Sequence, residues 1–210
     1  MKNPGRTGLL AVVAAAFAFT VAAQDEGVKQ VEQLVKKAGS TVQAITEAKL
    51  QMTKTMDVYN SLFAEDTKDR KGLYKKLQGE MGTTEERRAE VGKRADEMRT
   101  EADAVFKSWA DSTAAIENPD LRKRSEERLT KTKARWAEVD AAGQKALEVY
   151  VPVMKALQDQ VTYLGHDLNA GAVASLKPEA TKLNAKVEEL NKRLDETVST
   201  ANQSISALRP

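Results

Sequence analysis

Apolar residues recur every three or four positions along most of this chain of 210 residues. That spacing is the period of one face of an α-helix. The first such stripe predicts a helix from about Glu26 to Ala64. Its members are Val28, Val31, Val35, Ala38, Val42, Ile45, Met52, Met56, Tyr59 and Phe63.

A second stripe predicts a helix that begins near Lys68 and continues past Trp109. Thr83 and Glu86 have the spacing of a capping box, which would place a helix start in the middle of this segment. Because the same stripe continues on both sides, we favour one continuous helix with a weak point.

The clearest interruption is Asn118-Pro119-Asp120. Asn118 suits an N-cap and Pro119 suits the first helical turn. A third helix follows and contains Pro152, which should bend it locally. The stretch from Gly165 to Pro178 predicts a connection, and a fourth helix follows it.

Segments of about 40 residues form helices roughly 60 Å long. Short connections make consecutive helices antiparallel. The sequence therefore predicts an all-α fold, an elongated antiparallel helical bundle or coiled-coil-like rod of about four long helices. Residues 24–210 would form this single domain.

The N-terminus has the pattern of a secretory signal peptide over residues 1–23. Lys2 and Arg6 precede an apolar core, and Val21-Ala22-Ala23 supplies small residues before a cleavage point. We predict cleavage after Ala23 and a periplasmic location. The alternative is a retained anchor, although the apolar run is shorter than the about 20 residues of a spanning helix.

Cleavage would delete Lys2 and Arg6 and no acidic residue, so the formal net charge would fall from +2 to zero. A neutral chain lacks the basic face that nucleic-acid binding needs, so no nucleic-acid partner is expected. The chain has no cysteine, which excludes disulfides, thiol catalysis, cysteine-ligated metals and a lipid-bearing cysteine. No cofactor is predicted.

One polar cluster, His166, Asp167 and Asn169, resembles a site, and Lys177 lies just after it in the chain. In a helix His166 and Asn169 would share a face. They could contact a partner or a metal at the end of the rod, but a single histidine is a poor metal site. Alternatively, these groups cap helix ends.

A basic run marks the third helix and is the candidate contact for an anionic surface. The cations chosen for that contact are Arg122, Lys123, Arg124, Arg128 and Lys131. They could bind acidic lipid or an acidic partner, or they could be a solvated helix face. Met52 and Met56 are one turn apart, as a copper(I) site would need, but their place in the apolar stripe favours core packing.

Three stretches carry a family resemblance from about Asp69 to Leu208. They are FKSWADS around Trp109, NPDLRKRSEERLTKTKARW from Asn118, and YVPVMKALQDQVTYLGHDLNAGAVASL from Tyr150. The chain resembles the bacterial family named domain of unknown function 2959. The resemblance implies an exported or envelope-associated helical protein and carries no catalytic residue. Basic residues are usual in that family at the positions of Gly165 and Gly171.

These features favour a non-enzymatic exported structural or adaptor protein of the bacterial cell envelope. Its partner would be another envelope protein or a second copy of the chain. The alternatives are a peripheral protein that binds a membrane surface through the basic helix, and a metal-binding protein or enzyme that uses His166.

Overall fold

The computed structural model describes residues 10–208, with side chains from residue 27 onward. Five helices follow in order: α1 (Leu10–Ser61), α2 (Arg70–Ala114), α3 (Pro119–His166), α4 (Ala170–Ser175) and α5 (Lys177–Leu208). No strand occurs among these residues. The predicted all-α bundle with four long helices is therefore confirmed, and α4 is an additional short helix inside the predicted connection.

The first helix begins earlier than the predicted Glu26, because α1 already includes Leu10. The alanine-rich stretch after Leu10 contains no proline or glycine before Gly27, and alanine has the highest helix propensity. The predicted signal peptide covers residues 1–23. Residues 1–9 lie outside the described residues, and of residues 10–23 the structure describes the backbone but not the side chains. Cleavage after Ala23 therefore stays a prediction.

Among the described residues, no helix combines the length and the hydropathy that a bilayer crossing requires.

The second helix is continuous, as predicted, and passes through Gly79 and Gly82 without a break. Thr83 does not cap a helix start, because its hydroxyl donates to the carbonyl oxygen of Gly79 one turn earlier. The helix begins after Asp69, whose carboxylate accepts a 2.8 Å hydrogen bond from the backbone N–H of Gly72. This bond satisfies one of the free N–H groups of the first turn.

Helix α3 begins where the sequence predicts, after Asn118. The side chain of Asn118 accepts hydrogen bonds from the backbone N–H groups of Asp120 and Leu121, at 3.0 and 3.1 Å, and Pro119 occupies the first turn. Pro152 lies inside α3 on its exposed side, and the helix continues beyond it to His166.

The four long helices form a closed antiparallel ring. The most extensive contacts join α1 to α2 and α3 to α5, and contacts of α1 with α5 and of α2 with α3 complete the ring. Lys49 on α1 pairs with Asp195 on α5, while Asn60 further along α1 bonds Asn184 earlier on α5. Because one partner number rises while the other falls, the two helices run in opposite directions.

Two apolar clusters fill the bundle. The upper cluster surrounds Tyr59 and Leu157 near the α3–α5 connection. The lower cluster surrounds Leu34 and Phe106 near the α2–α3 connection. Small or polar buried side chains separate the clusters along the chain: Thr41, Ala44, Ala146, Thr197 and Ala201.

Buried polar groups link the helices inside this core. The hydroxyls of Thr55 on α1 and Thr84 on α2 lie 2.8 Å apart. The Tyr59 hydroxyl donates to the side-chain oxygen of Gln160 and so joins α1 to α3 across the diagonal of the bundle. Burial raises the pKa of Tyr59, and the negative charge of Glu179 raises it further, so the phenol stays protonated and remains a donor.

We expect Tyr59→Phe to lower the free energy of unfolding by about 1–3 kcal/mol, because it leaves the Gln160 oxygen buried without a donor. Replacing Gln160 with leucine in the same variant removes the unsatisfied group and should recover part of the loss. Urea denaturation of the two single variants and the double variant measures this coupling. Additive losses would show that the bond does not stabilise the fold.

Candidate functional site

The predicted contact site lies where α3 passes through α4 into α5, at residues 166–177, called here the upper turn. His166 is the last residue of α3, and Asp167 has an extended backbone with φ −153° and ψ 117°. His166 and Asn169 therefore do not share a helix face. The condition for a shared face, a continuous helix, is not met, because the chain leaves the helical conformation at Asp167, between the two residues.

Asp167 and Asn169 cap the upper turn. The Asp167 carboxylate accepts hydrogen bonds from the backbone N–H and the side-chain amide of Asn169, at 2.9 and 2.7 Å. The Asn169 side-chain oxygen accepts a 2.8 Å bond from the backbone N–H of Ala172, in the first turn of α4. Two of the four candidate contact residues thus hold the turn in one conformation.

The upper turn also packs against the core. Val173 of α4 is 3 % exposed, and Leu168 packs against the upper cluster. The Tyr163 and Ser175 hydroxyls lie 3.2 Å apart and link α3 to α4. Apolar packing and hydrogen bonds together make this a fixed connection between two long helices.

Two side chains of the upper turn and one next to it on α3 face solvent. His166 and Lys177 are exposed, and neither side chain forms a hydrogen bond or ion pair among the described residues. The Tyr163 side chain is 48 % exposed although it is aromatic. Sequence reasoning missed Tyr163. Its position off the apolar stripe of Val161 and Leu164 was the available signal.

The part of the chain described by the structure contains no group of three or more His, Cys, Asp or Glu side chains placed to hold a metal ion.

Gly165 lies against Tyr74. A Cβ atom at Gly165 would be 2.7 Å from the Tyr74 hydroxyl oxygen, which accepts a bond from Gln78. A side chain at Gly165 would therefore have to displace Tyr74. At Gly171 an added Cβ would lie 3.2 Å from the side-chain oxygen of Asn169, the cap of α4.

The candidate anionic-surface residues divide into two sets. Arg122 donates from two guanidinium nitrogens to the Ile116 carbonyl oxygen, at 2.8 and 2.5 Å, and so fastens the α2–α3 connection. Arg128 lies over the ring of Trp109, 5.8 Å from its centroid. The remaining residues are exposed and form no ion pair among the described residues: Lys123, Arg124 and Lys131.

Met52 and Met56 are both buried in the upper cluster. Their interpretation as core residues is confirmed.

The family profile described as "Protein of unknown function (DUF2959)" matches residues 20–208. The chain belongs to the DUF2959 family. The match begins well before Asp69, the start of the resemblance in the sequence, and it includes most of α1. No curated protein and no solved structure matches the chain.

We expect Asn169→Ala to lower the free energy of unfolding of this DUF2959 protein by about 1 kcal/mol, because it removes the cap of α4 and the partner of Asp167. His166→Ala is the matched control. Its side chain is exposed and forms no bond with any other described residue, so the change should stay within about 0.5 kcal/mol. Urea denaturation measures the free energy of unfolding of both variants. Equal losses would contradict the conclusion that Asn169 caps the turn whereas His166 is only exposed on it.

Proposed function

We propose that this DUF2959 protein is an exported, non-enzymatic structural or adaptor protein of the bacterial cell envelope, and that it binds a partner through the upper turn. The observation that carries the proposal is the contrast within the turn. The Asp167 and Asn169 side chains cap the turn, whereas the exposed His166 and Lys177 side chains form no hydrogen bond or ion pair among the described residues.

A fixed turn suits recognition because little conformational entropy is lost when it binds. The caps and the packing of Leu168 fix the backbone before any partner arrives. The exposed groups are therefore held in place in the free protein.

The exposed groups define the chemistry of the partner. The Lys177 ammonium offers donors only, and the His166 imidazole offers a donor in either charge state. The exposed ring of Tyr163 adds an aromatic contact, a residue type enriched at interfaces. We infer a partner segment with carboxylate or carbonyl acceptors beside an apolar side chain.

The length of the bundle supports an adaptor role. Helix α2 alone has 45 residues, which corresponds to about 65 Å at 1.5 Å per residue. The upper turn is therefore far from the opposite end, and a partner bound there is held at a defined distance from anything bound at the other end.

We expect a photo-crosslinking amino acid at Lys177, incorporated in cells, to give one dominant adduct with an envelope protein. His166→Ala should reduce its yield several-fold, because it removes a neighbouring contact. The same probe at Lys192, an exposed position on α5 away from the turn, is the control. Mass spectrometry of the adducts identifies the partner. The proposal fails if both probes give the same pattern, or if Lys177 yields only lipid or self-adducts.

The proposed export can be tested separately, through cleavage of the signal peptide. The intact mass of the protein recovered from the periplasm should correspond to a chain that starts at Gln24. Ala23→Tyr should block this processing, because signal cleavage needs a small residue before the cut. Ala15→Leu, inside the apolar core, should leave it unchanged. A full-length chain retained in the membrane fraction would instead indicate an anchor.

A further inference from the structure

The bundle has a waist, the level at which small or polar side chains separate the two apolar clusters. Residues 85–97 of α2 cross this level and are called here the waist strap. The Thr41 hydroxyl of α1 donates to the Arg94 carbonyl oxygen of the strap, at 3.2 Å. On either side of the strap α2 packs into a cluster, through Met81 in the upper one and Met98 in the lower one.

The waist strap has no core of its own. All of its residues are described, and none of them is buried. Nine of its 13 residues are charged, and its apolar side chains are those of Ala89, Val91 and Ala95, so it has little apolar surface to bury. The other three long helices do bury side chains at this level, namely Thr41, Ala44, Ala146, Thr197 and Ala201.

Ion pairs hold the waist strap to α1. Arg87 pairs with Glu47 at 3.0 Å, and Glu97 pairs with Lys37 at 2.6 Å. All four side chains are exposed to a large extent. Ion pairs of this kind stabilise a fold weakly and are screened by salt. The strap is therefore held by contacts for which water and ions compete.

Packing between the waist strap and α3 is open around Gly92. The Tyr150 hydroxyl of α3 donates to the Glu85 carboxylate, at 3.1 Å. Gly92 lies seven residues after Glu85 and Gly143 lies seven residues before Tyr150, so the two glycines face each other. A Cβ atom at either glycine would have no neighbouring atom within 4 Å. Leu147, one turn from Gly143, is 42 % exposed, so α2 leaves this side of α3 uncovered.

Gly92 also weakens the helix at this point. Glycine is less favourable than alanine inside a helix, because its backbone loses more conformational freedom. Gly79 of α2 has the same drawback, but it lies within one turn of the buried Met81. The nearest buried residues of α2 to Gly92 are Thr84 and Met98, each about two turns away. Tertiary packing thus supports the helix at Gly79 and does not support it at Gly92.

We infer that the waist strap opens on its own while both apolar clusters stay packed. In the open state the turns around Gly92 exchange their helical hydrogen bonds for bonds to water and move away from α3. The free energy of a local opening depends on the contacts that are lost. Here those contacts are exposed ion pairs and hydrogen bonds, whereas opening at Met81 or Met98 would expose apolar surface as well.

Opening gives access to the interior of the bundle from the α2 side only. Helices α3 and α5 stay joined at the waist, because the Thr197 hydroxyl donates to the Ala142 carbonyl oxygen at 3.1 Å. The first interior side chain to be exposed is Ala146, which lies one turn from Gly143 on the buried side of α3. This inference concerns a different part of the molecule from the upper turn and does not rest on partner binding there.

Hydrogen exchange of the purified protein, followed by mass spectrometry, tests the opening. Amide protection factors in residues 85–97 should be lower by about tenfold or more than those in residues 74–84 and 98–106, which lie beside the two clusters. Raising the salt concentration from about 0.05 M to about 0.5 M should lower protection in the strap further, because it screens the ion pairs.

Gly92→Ala should raise the protection of the strap by about two- to fivefold, because alanine favours the helix and its methyl group enters open space. Gly79→Ala is the matched control. It makes the same change at another exposed position of α2 with open space around it, and it should leave protection of the strap unchanged. Circular dichroism checks that both variants remain folded.

A thiol probe follows exposure of the waist interior directly, because the chain has no cysteine. Ala146→Cys should react with iodoacetamide faster than Ala102→Cys, which lies in the lower cluster. Adding Gly92→Ala should slow the reaction at position 146 and leave the reaction at position 102 unchanged.

Three results would overturn the inference. The first is equal protection along α2 from residue 74 to residue 106. The second is the same effect of Gly79→Ala and Gly92→Ala on the strap. The third is an equal reaction rate for the two thiols, which would mean that the waist opens only when the whole bundle unfolds.

Discussion

The register between the helices depends on the polar contacts buried in the core. Apolar stripes with nearly heptad spacing would bury similar areas if one helix slid by two turns past its neighbour. The Thr55–Thr84 contact and the Tyr59–Gln160 bond exist in one register only. A slip would leave these groups buried without partners, at a cost of about 1–3 kcal/mol for each. The register in turn fixes which residues meet at each end of the bundle.

Most of the fold could be predicted, because long apolar stripes identify the four helices and the Asn118 cap identifies the start of α3. The Asn118 cap and Pro119 mark the start of α3 after the short connection of residues 115–118. The upper turn was harder, since Leu164 and Leu168 continue the helical spacing across the point where α3 ends. Periodicity reports which face is buried and does not report whether the backbone between two buried residues is helical. The end at His166 depends instead on the local bonds of Asp167 and Asn169.

The same limit explains what could be predicted of the candidate site. The sequence identified the four polar residues of the turn, but their roles depend on hydrogen bonds that only the fold defines. Asp167 and Asn169 stabilise the turn, because the Asp167 carboxylate accepts a bond from Asn169 and the Asn169 oxygen accepts one from the backbone of α4. The His166 and Lys177 side chains are exposed and form no hydrogen bond or ion pair among the described residues. Tyr163 was missed although its position off the apolar stripe of Val161 and Leu164 indicated an exposed side chain.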